Sequence, residues 1–424
     1  MRPRRGGLLR EHDFRMLWTG ETASAVGTQV TKLAVPLVAV LTLEVSTFQV
    51  SLLTAAGWLP WLLIGLPAGA WVDRLPRRPL MVVCDLAAVG LLVTVPLAAW
   101  LDALTYVHLL VVELLVGVAG VFLQTAFQVL LPGLVGAADL PEANAKVQAS
   151  EAAAYVAGPG IAGFLGQMLG AVQALLVDAA SFLVSAVLLL RIRTPERVEP
   201  PTAPRRALWS EIREGMAFLA GDPYLRVLTV SGALTNFALM GYQAILVVFL
   251  VRELGVGAGT VGLLVAGMSA GGLLGAALAT GAARRLGSAR ATVVAALAMG
   301  PFALLLPLAA PGWRLALVVV SGVGVGAGAV VGNVLRGSFR QAYTPRALLG
   351  RVVVSMQFLN YGTIPLGALA GGGLAAAMGL RPTMWVMVAA VAVAPFVLLI
   401  GPLKRDRDFP ACPAGKAPVR VSEG

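Results

Sequence analysis

Charge is what this 424-residue chain has least of: 12% of its residues are Asp, Glu, Lys or Arg, against about a quarter in a soluble domain. With 58% hydrophobic residues, it reads as a membrane protein with no room for a soluble domain. Other scarcities exclude whole functions. The two cysteines, Cys84 and Cys412, are too few for a disulfide framework. The two histidines, His12 and His108, give no metal cluster. Gly415-Lys416 is followed by Ala, so no phosphate loop is present and ATP is not expected as a partner. No Ser, Cys or Lys nucleophile has a base at readable spacing, which leaves neither an enzyme nor a cofactor to expect. From position 224 to 403 the only carboxylate is Glu253.

What is present is a series of long apolar runs. A membrane helix needs about 20 such residues, and charged or Pro/Gly-rich breaks divide the chain into twelve. The expected fold is all-α and integral to the membrane, with twelve transmembrane helices in two six-helix bundles. The layout is a tail at 1–15, a first bundle at 16–191, a Pro-rich linker at 192–221, a second bundle at 222–403 and a tail at 404–424. The basic start could pass for a secretory signal, but Glu21 and Lys32 interrupt the apolar run, which extends to about position 43. Two weak echoes, residues 69–78 with 281–290 and 141–150 with 345–355, suggest parallel halves.

The net charge of +11 would suggest nucleic acid in a soluble protein. Here positive-inside sorting explains it. With both termini cytoplasmic, 28 of the 32 basic residues fall inside, Arg336, Arg340, Arg346 and Arg351 among them as one loop. Arg252, Arg314 and Arg381 fall outside, and Lys32 lies in the membrane.

Two motifs carry a resemblance. Residues 69–81, GAWVDRLPRRPLM, join two spans. Gly69 permits close approach of helix ends, Asp73 and Arg74 suit helix termini, and Arg77 and Arg78 sit at headgroup level. This resembles the loop between helices 2 and 3 of the major facilitator superfamily, with Trp71 for the usual Leu and Pro76 for the usual Gly. Residues 154–163, AYVAGPGIAG, place Gly158, Pro159 and Gly163 in one span. They resemble the Gly-Pro signature of exporters in that superfamily, with Ala154 for its first Gly. Residues 14–37, 140–150 and 177–193 and the Gly350-Arg351 loop resemble the branch containing enterobactin exporters and macrolide efflux proteins. Relatives often carry Asp or Ser at Thr28, Arg at Glu113 and Asp at Gln124.

In that superfamily spans 1, 4, 7 and 10 line a central cavity. Glu21 and Lys32 are eleven residues apart, on one face of span 1 with Thr28 and Gln29 between them. Glu113 and Gln124 share that spacing on span 4, and Gln128 follows a turn later. Lys32 lies roughly 16 Å and Glu113 roughly 10 Å from the outer helix ends, so they can pair; the alternative is that each snorkels or forms a structural bridge. Asp85, Glu151 and Asp178 read as helix-terminus or gate contacts. Asn236, Gln243, Asn333, Gln357 and Asn360 offer neutral hydrogen bonds, either to substrate or as polar links between helices.

The resemblance implies a secondary exporter of a small, moderately apolar molecule (a drug, natural product or siderophore) by alternating access, with protons as the exchanged ion. It would be a monomer in a bacterial plasma membrane. An importer or uniporter of the same fold is one alternative, and a membrane scaffold or sensor that has lost transport is another.

Overall fold

A computed structural model of the chain describes residues 7–72, 74–136, 139–194, 208–404 and 406–410. The described residues are helical, with no strand among them. The first six helices are α1 (His12–Leu37), α2 (Thr47–Val72), α3 (Arg77–Trp100), α4 (Tyr106–Leu134), α5 (Leu140–Met168) and α6 (Ala171–Leu190). Then come α7 (Leu208–Gly221), α8 (Pro223–Val248), α9 (Ala258–Leu286), α10 (Ser288–Ala303), α11 (Ala316–Tyr343), α12 (Arg346–Met378), α13 (Leu380–Val393) and the short α14 (Val397–Ile400). Eleven stretches are long and apolar enough to cross a membrane, so this is a multi-pass membrane protein. α5 is not among the eleven: Glu142, Lys146, Gln148 and Glu151 crowd its first half.

Contacts divide the chain into two units. Unit 1 runs to Pro204 and also takes in Gln243–Gly267 and Ala368–Arg381. In it α1 packs on α5 and α6, α2 on α4, and α3 on α4 and α6. Pro60 and Pro67 sit inside α2 and Pro159 inside α5 without ending either helix.

Small residues decide where other helices join unit 1. A Cβ on Gly163 of α5 would lie 2.5 Å from the Cα of Gly262 on α9. One on Gly372 of α12 would lie 2.5 Å from the Cβ of Ser51 on α2. The first is a backbone crossing and the second seats glycine against a small side chain; neither glycine has room for a Cβ. Beyond α1 and α8 the chain makes matching exits: each helix relaxes into a π-turn, at Val38–Thr42 and Phe249–Glu253. Each then turns through positive φ, at Glu44 (48°) and Gly255 (66°). Leu43-Glu44-Val45 and Leu254-Gly255-Val256 are thus equivalent, a third internal echo hidden by the Glu-for-Gly difference. Arg252 closes this end by donating to the Val45 carbonyl at 2.6 Å, while Arg381 pairs with Glu253 at 3.2 Å.

Unit 2 holds the rest, from Arg205 to Tyr242, Met268 to Gly367 and Pro382 onward. Here α11 packs on α9 through glycines: Gly271 and Gly275 of α9 meet the backbone of Val323 and Ala327, and Gly322 meets Met268. The glycine run in α11 therefore serves close packing. The segment expected as a polar linker contains α7, whose Glu214 pairs with Arg351 of α12 at 2.6 Å.

The segment 406–410 is also built in. Asp408 accepts the backbone N–H of Ser288, the first residue of α10, at 2.8 Å. The Arg407 carbonyl accepts the next two N–H groups, of Ala289 and Arg290. Phe409 stacks on Phe339 with ring centroids 4.2 Å apart, and Asp406 accepts the Tyr224 hydroxyl at 2.6 Å. The free N–H groups of a helix start are thus answered from the far end of the sequence. Asp408→Ala is expected to cost about 1 kcal/mol, the usual worth of such a cap, read as a lower thermal unfolding midpoint of the detergent-purified protein with transport retained.

Candidate functional site

Ionisable side chains inside a helix bundle need partners or water, and unit 1 treats its set in three different ways. Asp178 is hydrogen-bonded, with the Ser181 hydroxyl shared between its backbone carbonyl at 2.8 Å and its carboxylate. It lies seven residues into α6, about 10 Å from the helix start, and is 1% exposed. The Thr31 hydroxyl of α1 donates to its Oδ2 at 2.6 Å, and the Ser181 hydroxyl lies 3.1 Å from Oδ1. Gly27, one turn before Thr31, makes the room: a Cβ there would collide with the Ser181 hydroxyl and the Asp178 carboxylate. Of the helix-terminus or gate contact expected, the first does not fit, since Asp178 is too deep in α6 to cap it; it ties α6 to α1.

Lys32 is the opposite case. It is exposed, while Val30, Thr31, Leu33 and Ala34 beside it are 0–6% exposed. Its charged neighbours are Glu113 of α4, Asp178 of α6 and Glu151 of α5. It is thus an exposed cation whose charged neighbours are acids on three other helices. No ion pair within 4.0 Å closes on it among the described residues. The Lys32–Glu113 pair is thus not formed in this structure; Glu113 lies against α2, its Oε1 2.6 Å from where a Cβ on Gly57 would stand.

Asp85 is the third case. It is 1% exposed with both carboxylate oxygens lacking a hydrogen bond, near Glu21, Asp178 and the Ser185 hydroxyl. It lies eight residues, about two turns, into α3. Glu21, half-buried on α1, has Glu151 and Asp85 as charged neighbours. The Gln148 side chain donates to Glu151 at 3.1 Å. Nearby, Thr22 donates to Ser150 at 2.9 Å and Trp18 to the Lys146 carbonyl at 3.3 Å, binding α1 to α5. Gly158 packs on the Gln29 side chain. Thr28 and Gln124 are half-buried, and Gln128 is exposed.

The remaining polar candidates are dispersed. Gln243 belongs to unit 1, whereas Asn236, Asn333, Gln357 and Asn360 belong to unit 2. Asn333 accepts from Arg336 at 2.9 Å, and Asn360 Oδ1 is buried without a donor. In the basic loop, Asp73 lies outside the described residues. Arg78 donates to the Leu190 carbonyl of α6 at 3.0 Å, and Arg74 and Arg77 flank the turn between α2 and α3. Among the described residues Gly69 meets nothing within 4 Å at its Cβ position, so none of them makes the close approach expected there; Trp71 stacks on Phe122 of α4.

Against known proteins, the family described as transmembrane secretion effector matches residues 7–414. The chain belongs to that family, within the major facilitator superfamily. The multidrug efflux pump Tap of Mycolicibacterium fortuitum is 30% identical over 94% of this chain and 97% of its own. The enterobactin exporter EntS of Citrobacter koseri is 26% identical over 96% and 97%. Macrolide efflux protein A of Streptococcus pyogenes is 23% identical over 55% and 57%. All three are named as exporters or efflux pumps, none as an enzyme. A crystal structure of a point mutant of the nucleoside transporter NupG superposes with a TM-score of 0.77 at 12% identity, over 92% of this chain and 99% of that one, and shares its fold. The branch expected from the sequence is the one found.

Two tests follow from the geometry. Gly27→Ala should lower stability by about 1–3 kcal/mol through overpacking, measured by thermal unfolding, whereas Gly120→Ala, where a Cβ meets nothing within 4 Å, should be near neutral. With Cys84 and Cys412 replaced, Lys32→Cys should react with a small polar thiol reagent, while Val30→Cys, at a 0% exposed position, should stay silent.

Proposed function

We propose that this chain is a secondary exporter that carries a small, moderately apolar molecule out of a bacterial cell by alternating access, in exchange for protons. The observation that carries the reading is Lys32, an exposed cation set between buried residues of α1, with Glu113, Asp178 and Glu151 as its charged neighbours. Such an arrangement is costly in hydrocarbon and is worth keeping where charge or substrate must pass. The names of the relatives supply the direction. α5 is read as the twelfth span, its polar first half facing α1 in place of lipid, so that two six-helix bundles sit in the plasma membrane with both termini cytoplasmic.

Glu113 is assigned the coupling role, with Glu21 in reserve. Glu113 is free to exchange its position on Gly57 for Lys32, which links its protonation to conformation. One proton suffices: a charge crossing 100 mV supplies about 2.3 kcal/mol, enough for a gradient of roughly 40-fold at about 1.4 kcal/mol per tenfold. The ties among Arg252, Val45, Gly163, Gly262, Ser51 and Gly372 are then outer-side contacts that part when the site faces outward. The loop holding Asp73, Arg74, Arg77 and Arg78 is a cytoplasmic latch.

The test is uptake by inside-out vesicles of a panel of drugs and siderophores, with and without an imposed proton gradient. Wild type should accumulate at least one compound. Glu113→Gln should lose accumulation yet still exchange labelled for unlabelled substrate. Accumulation surviving in both Glu113→Gln and Glu21→Gln would remove proton coupling through this site.

A further inference from the structure

Unit 2 contains two arginines that no acid answers among the described residues. Counting from the sequence assigned Arg336 and Arg340 to a loop, but α11 continues through both to Tyr343. They stand one turn apart on one face, with Arg336 about 10 Å inside the helix end. Arg336 folds back on its own helix, donating from Nε to the Gly332 carbonyl at 3.1 Å and from Nη2 to Asn333 at 2.9 Å. Arg340 reaches the Met356 sulfur from Nη1 at 4.0 Å, and its Nε is buried with no partner.

The carboxylates of unit 2 whose side chains are described are engaged elsewhere. Glu214 holds Arg351. Asp222 accepts the Tyr343 hydroxyl and the N–H groups of Tyr224 and Leu225. Asp406 accepts from Tyr224, and Asp408 from Ser288. The charged neighbour of Arg336 is Arg340 itself, while Arg340 has Tyr361 of α12 close by. Like charges one turn apart repel. The helix C-terminus attracts cations only within its last turn, so it reaches Arg340 and not Arg336. Two guanidinium groups present far more N–H donors than these contacts use, in the forked geometry that suits carboxylate and phosphate.

We propose that Arg336 and Arg340 form a binding site for a compact oxyanion, a phosphate or carboxylate group held between the two guanidinium groups beside Met356 and Tyr361. Its source is either the headgroup of an acidic phospholipid or a soluble anion, and both offer the same chemistry. The site does not depend on the efflux reading.

The experiment uses the purified full-length protein in neutral detergent, following the thermal unfolding midpoint. One arm titrates inorganic phosphate against chloride at constant ionic strength. The other adds phosphatidylglycerol against phosphatidylcholine in mixed micelles. At least one anion should raise the midpoint saturably. Arg336→Gln and Arg340→Gln should each weaken the apparent affinity at least tenfold, whereas Arg284→Gln, on an exposed arginine of α9, should leave it unchanged. Arg340→Lys, which keeps the charge and loses the fork, should fall between and decides the matter if the Gln variants do not fold. A response to phosphate assigns a soluble anion; a response to phosphatidylglycerol alone assigns a headgroup. No saturable response in either arm, or the same response in the arginine variants as in wild type, overturns the site.

Discussion

Hydrocarbon offers no water to a polar group, and this constraint governs the structure. Backbone groups meet it by staying helical throughout. Charged side chains must meet it one by one. Asp178 does so with two hydroxyls and a glycine that lets them close around it. Lys32 does so by remaining exposed. Asp85, Arg336 and Arg340 are the incomplete cases. A group already satisfied fixes the fold, while one left wanting is available for a proton or a ligand. That difference separates the structural tie at Asp178 from the sites proposed for transport and anion binding.

Glycine does the other half of the positioning. With little hydrophobic gain available between helices in lipid, close packing and hydrogen bonds hold them together. The closest approaches occur where two small residues face each other: Gly163 with Gly262, Ser51 with Gly372, and Gly271 and Gly275 with the backbone of α11. The same device brings polar atoms into range, since Gly27 admits Asp178 and Ser181, and Gly57 admits the Glu113 carboxylate. A glycine stripe and a carboxylate on different helices thus form one feature.

Charge is also divided by sign. Unit 1 holds the buried or half-buried acids Glu21, Asp85, Glu113, Glu151 and Asp178 well inside its helices, with Lys32 among them. Unit 2 has no carboxylate within its spans and carries the Arg336–Arg340 pair in α11. The carboxylates inside helices therefore belong to the first unit, and the second carries a pair of cations in α11.

The sequence by itself determined the membrane class, the helical fold and the family, because these follow from run length, charge scarcity and long co-linear motifs that survive without knowledge of contacts. It also selected Glu21, Lys32 and Glu113, since an ionisable residue inside an apolar run is conspicuous. Only the tertiary structure decided how those groups are satisfied. Asp178 read as a helix-terminus or gate contact because hydropathy cannot show that Thr31, 147 residues away, donates to it. Arg336 and Arg340 read as a loop because charge ends an apolar run, although α11 continues for two more turns. The segment at 406–410 read as a free tail because a cap supplied from 120 residues away leaves no local signal. The matching turns at Glu44 and Gly255 were hidden because backbone conformation, not residue type, is what they share.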